Sequence, residues 1–267
     1  FIFGLGPVPP LGVTGAAVAT LLGRSVGVVY LLWRLTRSSP RLRVGLRHFG
    51  IRPALLRELS RMAVGGMGQL IVETSSWVLL TRIVALSGSA AVAGYTIALR
   101  LLLFALLPAW GLSGAAATLV GQNLGAGHVL RARRAVRVTG FANAVFLGIV
   151  TLFCVLLPVQ MVRVFTDDPV AIRLGAEGVR VVGLGYVFYA WGMVLTQALN
   201  GSGDTRTPFF INLVCFWAFK LPLAYFLSTQ LTATHGTLGV FIAITIAYCL
   251  NAVLAGVAFK RAQWSAA

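Results

Sequence analysis

A carboxylate in the middle of an apolar run is the group in this chain best placed to do chemistry. Glu73 lies within Gly65–Val84, GGMGQLIVETSSWVLLTRIV, a stretch of the roughly twenty residues a helix needs to cross a bilayer. A charge at that depth costs about 2.5–3.5 kcal/mol on insertion scales, so it is rare and usually functional. The remaining acids stand at segment ends or in connections. Helical spacing places Gly66, Gln69, Glu73, Ser76 and Trp77 on one face, polar where the opposite face is greasy. That pattern predicts a helix lining a water-accessible cavity, with Glu73 as its titratable group. The plainer alternative is a structural carboxylate neutralised by a neighbouring basic residue.

Four basic residues fall within apolar segments: Arg24, Arg82, Arg100 and Lys220. Arg82 and Lys220 stand towards the outer ends of their segments, where long side chains snorkel to the interface. Arg24 and Arg100 are deeper and need partners. A hairpin centred between Ser87 and Gly88 brings Glu73 and Arg100 to depths that differ by roughly 3 Å, at about 1.5 Å rise per residue. Arg100 is therefore the expected ion-pair partner of Glu73, each charge offsetting the other's desolvation. Tyr95, Tyr186, Tyr189, Gln197 and Asn251 join Gln69, Ser76 and Trp77 as expected cavity-lining residues, although tyrosines also sit at membrane interfaces and in helix contacts.

Other chemistries find little support. Gly111-Leu-Ser-Gly114 matches a GxSG pattern of intramembrane serine proteases, but that chemistry needs a histidine base on a facing helix. His48, His128 and His235 all fall in connections. No clustered ligands suggest a metal, and Cys154, Cys215 and Cys249 lie in apolar segments as small buried hydrophobes. No cofactor is expected, and the reading is not of an enzyme.

The elements that must position Glu73 are membrane helices. A hydrophobic fraction of 58%, a charged fraction of 10% and a mean hydropathy of +0.88 lie outside the range of soluble domains. Apolar segments at 12–33, 59–86, 90–120, 137–158, 175–199, 208–227 and 237–259 predict an all-α polytopic membrane protein of about seven transmembrane helices. The formal net charge of +16 does not point to nucleic acid. Its arginines crowd alternate connections, chiefly 34–61 and 122–137, with Lys260 and Arg261 at the end. The positive-inside rule then puts those connections and the C-terminus in the cytoplasm. The breaks at Ser38–Pro40 and Arg52–Pro53 make 36–57 a cytoplasmic linker, separating a first helix at 1–35 from a six-helix bundle at 58–267.

An internal echo supports that division. Leu11-Gly12-Val13 recurs as Leu238-Gly239-Val240, and in register Ala16 matches Ala243, Val26 matches Val253 and Arg34 matches Arg261. The first helix then ends one repeat and the other six form the next, an arrangement common in transporters. The opening FIFGLG has no Met, charged n-region or cleavage site, so the chain reads as a piece of a longer protein.

Two glycine-rich turns carry a family resemblance. They are Leu119-Val-Gly-Gln-Asn-Leu-Gly-Ala-Gly127, followed by Arg131, Arg133 and Arg134, and Gln197-Ala-Leu-Asn-Gly-Ser-Gly-Asp-Thr-Arg-Thr-Pro208. Neither is a phosphate loop, since Gly-Lys-Ser/Thr is missing from both. In the second, Asp204 or Thr205 is set to cap the next helix, with Pro208 in its first turn. With Leu11–Thr20 and Leu221-Pro-Leu-Ala-Tyr225, they resemble the multidrug and toxic compound extrusion (MATE) transporters along the full chain. The resemblance implies the last N-lobe helix and the whole C-lobe of a twelve-helix exporter. Glu73 matches a glutamate often found in the family's seventh helix. The place of an aspartate that some members use in the tenth helix falls near Tyr189.

The function this implies is secondary active export of small amphipathic or cationic compounds, antiported against H⁺ or Na⁺ by alternating access. The location implied is a bacterial inner membrane, with the lipid bilayer and a missing N-lobe as partners. A lipid-linked oligosaccharide flippase of related fold is the alternative, and it would need a large basic cavity with Arg24 and Arg100 facing it. The charge pattern also sets an orientation that thiol labelling checks. Cysteines introduced at Ser38 and Ser202 should react with a membrane-impermeant maleimide only from the cytoplasmic side, and one at Thr232 only from outside. Outside labelling of Ser38→Cys would reverse the topology.

Overall fold

The computed structural model describes residues 4, 11–37, 53–230, 236–262 and 264. Within them the chain is helical throughout, with no strand: α1 (Gly12–Arg37), α2 (Pro53–Ala85), α3 (Ser89–Gly125), α4 (Val129–Leu156), the short α5 (Pro158–Arg163), α6 (Pro169–Gly201), α7 (Arg206–Asn212), a π-helical segment (Leu213–Phe219), α8 (Lys220–Gln230) and α9 (Gly236–Arg261). Two compact units emerge, Phe1–Arg57 and Glu58–Ala267. Most of the proposed linker, 38–52, lies outside the described residues, as do Ser38, His48, Thr232 and His235.

Among the described residues six spans are long and apolar enough to cross a membrane: Gly12–Arg34, Ser89–Gly125, Val129–Leu156, Pro169–Gly201, Arg206–Gln230 and Thr237–Arg261. The chain is an all-α polytopic membrane protein. α2 has the length but is not among the six, because Gln69, Glu73, Ser75 and Ser76 dilute its apolar run.

In the larger unit α6 is the central helix, packed against α3, α4, α5 and α9. It begins where Asp168 accepts a hydrogen bond from the Val170 N–H (3.0 Å) and Pro169 occupies the first turn. Its glycines make the close packing achievable. Gly178, Gly185 and Gly192 are seven residues apart and form one seam along α6. A β-carbon at Gly178 would enter the ring of Phe241, one at Gly185 would lie 3.2 Å from Thr245 Cγ2, and one at Gly192 would enter the Asn251 amide. All three neighbours belong to α9. Small residues take this role in bilayers because packing and hydrogen bonds, rather than water exclusion, hold membrane helices together.

Each large neighbour of α6 also makes a side-chain-to-backbone bond with it. Tyr186 Oη donates to the Leu102 carbonyl of α3 (2.8 Å). From α4, Asn143 donates to the Ala190 carbonyl (3.1 Å) and Thr151 to the Gly183 carbonyl (2.8 Å). From α9, Thr245 donates to the Val181 carbonyl (2.9 Å).

The span 206–230 is one continuous rod whose middle widens into a π-helix. Asp204 caps its start, accepting from the Thr207 N–H (3.0 Å). Pro222 follows the wide turn, removing a further N–H from the helical ladder.

The glycine seam predicts an asymmetric pair of variants. Gly178→Ala should destabilise the bundle by about 1–3 kcal/mol, the usual cost of overpacking, and lower the thermal-unfolding midpoint in detergent. Gly148→Ala on α4, whose added carbon meets nothing within 4 Å, should be neutral or slightly stabilising.

Candidate functional site

The polar face of α2 meets the end of α6 through paired amides. Gln69 Nε2 donates to Asn200 Oδ1 (3.1 Å), Asn200 Nδ2 returns a bond to Gln69 Oε1 (3.2 Å), and Gln197 Oε1 also accepts from Asn200 Nδ2 (3.1 Å). Gln69 further donates to the Thr205 carbonyl (3.2 Å) in the second glycine turn. The close approach needs glycine, since a β-carbon at Gly65 would enter the Thr205 side chain and one at Gly68 would lie 2.8 Å from the Phe209 ring.

About two turns further along, α2 grips the π-helical segment. Ser76 Oγ donates to the Phe216 carbonyl (2.8 Å), and Trp217 Nε1 donates to Ser75 Oγ (3.1 Å). A π turn leaves its carbonyls less completely engaged than an α turn, and such turns recur at functional sites.

Between these two clasps lies a cavity of about 360 Å³. It runs from Gly66 and Asn200 to Glu73 and Tyr189, with Trp110 and Ser113 of α3, Thr196 and Gln197 of α6, Asn212, Phe216 and Asn251 also in its wall. Among these lining residues Glu73 is the only charged one. Asn251 donates to Asn212 Oδ1 (3.3 Å), while its own Oδ1 is a buried acceptor without a donor among the described residues.

Of the residues expected at this cavity, Gln69, Tyr189, Gln197 and Asn251 line it. Ser76, Trp77, Tyr95 and Tyr186 do not. Ser76 is buried with its hydroxyl spent on Phe216, Tyr95 packs on Phe241 with ring centroids 5.7 Å apart, and Tyr186 holds α3. Trp77 faces Lys220 instead. Sequence reading passed over Trp110, Ser113, Thr196, Asn200, Asn212 and Phe216. Asn200 and Asn212 carry a signal, as amides next to a motif turn in otherwise apolar helices; the aromatic residues carry none.

The partner of Glu73 is the main correction. Arg100 is exposed on α3, and the cation on the Glu73 side of the bundle is Lys220, which sits over Trp77 one helical turn from Glu73 on α2. Nor does Lys220 snorkel. It is 1% exposed, its Nζ 4.6 Å from the centroid of Trp77 and 4.7 Å from that of Phe216. Two ring faces hold the ammonium inside, with Glu73 one turn from Trp77 on α2, and they stand in for the water it would otherwise reach for. The half-buried Glu73 shares the cavity wall with Tyr189, whose ring stacks on that of Tyr248 at 4.0 Å. Arg82 is exposed in the last turn of α2, where a basic residue suits the helix dipole.

Chemically, the site is a carboxylate between a polar cavity and a caged ammonium. A carboxylate so placed offers a counter-charge to a cation in the cavity. Among the described residues no group of three or more His, Cys, Asp or Glu side chains is close enough to hold a metal ion.

The MatE family model matches residues 67–226, which include α2 from Met67, the π-helical segment and every lining residue of the cavity except Gly66 and Asn251. The chain belongs to the MatE family. It is 29% identical over 98% of its length to the probable multidrug resistance protein NorM of Thermotoga maritima and 30% identical over 94% to that of Pseudomonas putida. It covers 56% of each of those MatE relatives. The fold matches an outward-facing multidrug resistance MATE transporter of the MOP superfamily with a TM-score of 0.85 at 21% identity, over 94% of this chain and 56% of that one. It also matches a MOP superfamily transporter from Pyrococcus furiosus with a TM-score of 0.86 at 21% identity, over 97% and 57%.

The amide clasp is separable from the charge. Gln69→Leu should leave the Asn200 amide and the Thr205 carbonyl short of partners, at about 1–3 kcal/mol for the unmade bonds. Amide hydrogen exchange at 200–206 should rise while the α9 core stays protected.

Proposed function

We propose that this chain is the C-lobe, with one preceding helix, of a secondary active exporter of small amphipathic or cationic compounds, resident in a bacterial inner membrane. The observation that carries this reading is the single carboxylate, Glu73, in the wall of a cavity otherwise lined by uncharged groups: amides, hydroxyls, aromatic rings and the apolar Leu70 and Met193. A monovalent organic cation finds there a counter-charge and ring faces. The names of the bacterial relatives, multidrug resistance proteins, support the substrate class.

Substrate and coupling cation compete for Glu73. The coupling ion is H⁺ or Na⁺, and the cycle is alternating access against an N-lobe outside this chain. A ligand shifts such an equilibrium only by its difference in affinity for the two states; at Glu73 that difference arises if the carboxylate's partner changes between them. The basic connections place the C-terminus in the cytoplasm. No observation favours a flippase for anionic lipid-linked sugars: the one charge in the cavity wall is acidic, and Arg100 is not part of it.

The test is Glu73→Gln in the chain joined to a matching N-lobe and reconstituted in vesicles. Gradient-driven efflux should be abolished, with substrate binding weakened about tenfold, near 1.4 kcal/mol, yet still measurable. Efflux at the wild-type rate would make Glu73 a structural residue and move the coupling to the other lobe.

A further inference from the structure

Lys220 is buried, caged and unused by the scheme above. The 22 basic side chains of the chain include only two lysines, Lys220 and Lys260. Lys260 stands in the last turn of α9, whereas Lys220 is 1% exposed inside the bundle. The difference between lysine and arginine matters at such a place. A guanidinium stays charged in proteins, while an ammonium can shed its proton when its surroundings cease to stabilise the charge. The chain therefore sets a basic group able to lose a proton next to its cavity carboxylate.

Resting on the reading of Glu73 as the cation site, we infer that Lys220 carries the exchanged proton: when an organic cation takes the Glu73 carboxylate, the ammonium of Lys220 releases H⁺, and when H⁺ returns, the re-formed ammonium takes the carboxylate back. The charge count closes. Before exchange the site holds Glu73 carboxylate and Lys220 ammonium, with no net charge. A substrate cation entering without compensation would leave the ammonium buried with only the faces of Trp77 and Phe216 for partners, and the site at one positive charge. Breaking one Nζ–H bond, with the electron pair staying on nitrogen and the proton leaving through the cavity, restores neutrality. One cation enters for each proton lost, with no redox step.

The geometry suits a relay. Phe216 belongs both to the cavity wall and to the cage over Nζ, so a bound substrate touches the ring that stabilises the ammonium. Ser76 ties the Phe216 backbone to α2 one turn beyond Glu73, which keeps carboxylate and cage in register. The other titratable groups nearby are few. Cys215 of the π-helical segment stands five residues before Lys220, while Tyr189 of α6 shares the cavity wall with Glu73 and Tyr248 of α9 stacks on Tyr189.

The experiment uses the full purified chain in detergent, with tetraphenylphosphonium, a cation that has no proton of its own. Calorimetric titration at neutral pH in buffers of different ionisation enthalpy counts protons released per cation bound. Wild type should release close to one. Lys220→Arg, which keeps the charge but not the exchangeable proton, should bind more weakly and release almost none. Because arginine must fit the same cage, a second measurement uses the wild type alone. Acylation of Lys220 by a membrane-permeant succinimidyl ester, read by mass spectrometry against Lys260, should rise at least fivefold when tetraphenylphosphonium saturates the site, since only the neutral amine reacts. Full proton release from Lys220→Arg, or acylation indifferent to the bound cation, would overturn the inference and leave the Glu73 site standing. Undiminished binding in Glu73→Gln, or no saturable binding in the wild type, would remove the carboxylate site and this inference with it.

Discussion

The bundle depends on how near α9 can come to α6. Three glycines at heptad spacing remove the side chains that would hold the two helices apart, and Phe241, Thr245 and Asn251 fill the space. Within a bilayer no water is released by bringing helices together, so contact must be won by dispersion and by hydrogen bonds to exposed carbonyls. The seam supplies the first. Thr245 at Val181, from α9 itself, and Asn143 at Ala190, from α4, supply the second. The same closeness sets Asn251 into the cavity wall and stacks Tyr248 on Tyr189 beside Glu73. The site is thus a by-product of how α6 packs.

α2 joins this core by a different logic. It is held by amides at the Gln69 end and by hydroxyls and an indole on the π-helical segment at the Ser76 end. Polar clasps of this kind have discrete geometries, unlike an apolar contact that tolerates sliding. Glu73 lies between them, so a change in its charge is felt on a helix fastened at two points. Burying the opposing cation in an aromatic cage raises the stakes, because a buried charge stripped of its partner costs several kcal/mol.

Much of this was legible in the chain. Composition alone shows a polytopic helical membrane protein, because no soluble domain balances so much apolar surface with so few charges. The motif turns at 119–127 and 197–208 mark helix ends and the family, since glycine and Asp204 do the same local work wherever they occur. The central carboxylate of α2 and the polar stripe around Gln69 are visible because helix periodicity is a property of sequence. Gln69, Tyr189, Gln197 and Asn251 were recognisable as polar groups at cavity depth. The heptad glycines of α6 were equally visible, and their meaning was hidden only because the residues they face on α9 lie some sixty positions further on.

Depth and rotation divide what the sequence determines from what the fold decides. Counting residues along a helix fixes how deep a side chain lies, and by depth alone Arg100 was a fair partner for Glu73. Which way a helix turns about its own axis is set by the neighbours it packs against, and those are chosen by the whole bundle. That rotation leaves Arg100 exposed and carries Lys220 inward, where Trp77 and Phe216 close over it. It likewise spends Ser76 and Tyr186 on backbone carbonyls instead of the cavity. The sequence by itself determined the membrane class, the helices and the presence of a costly charge. Only the tertiary structure decided which cation answers it, because an ion pair needs azimuth as well as depth, and azimuth is a property of packing.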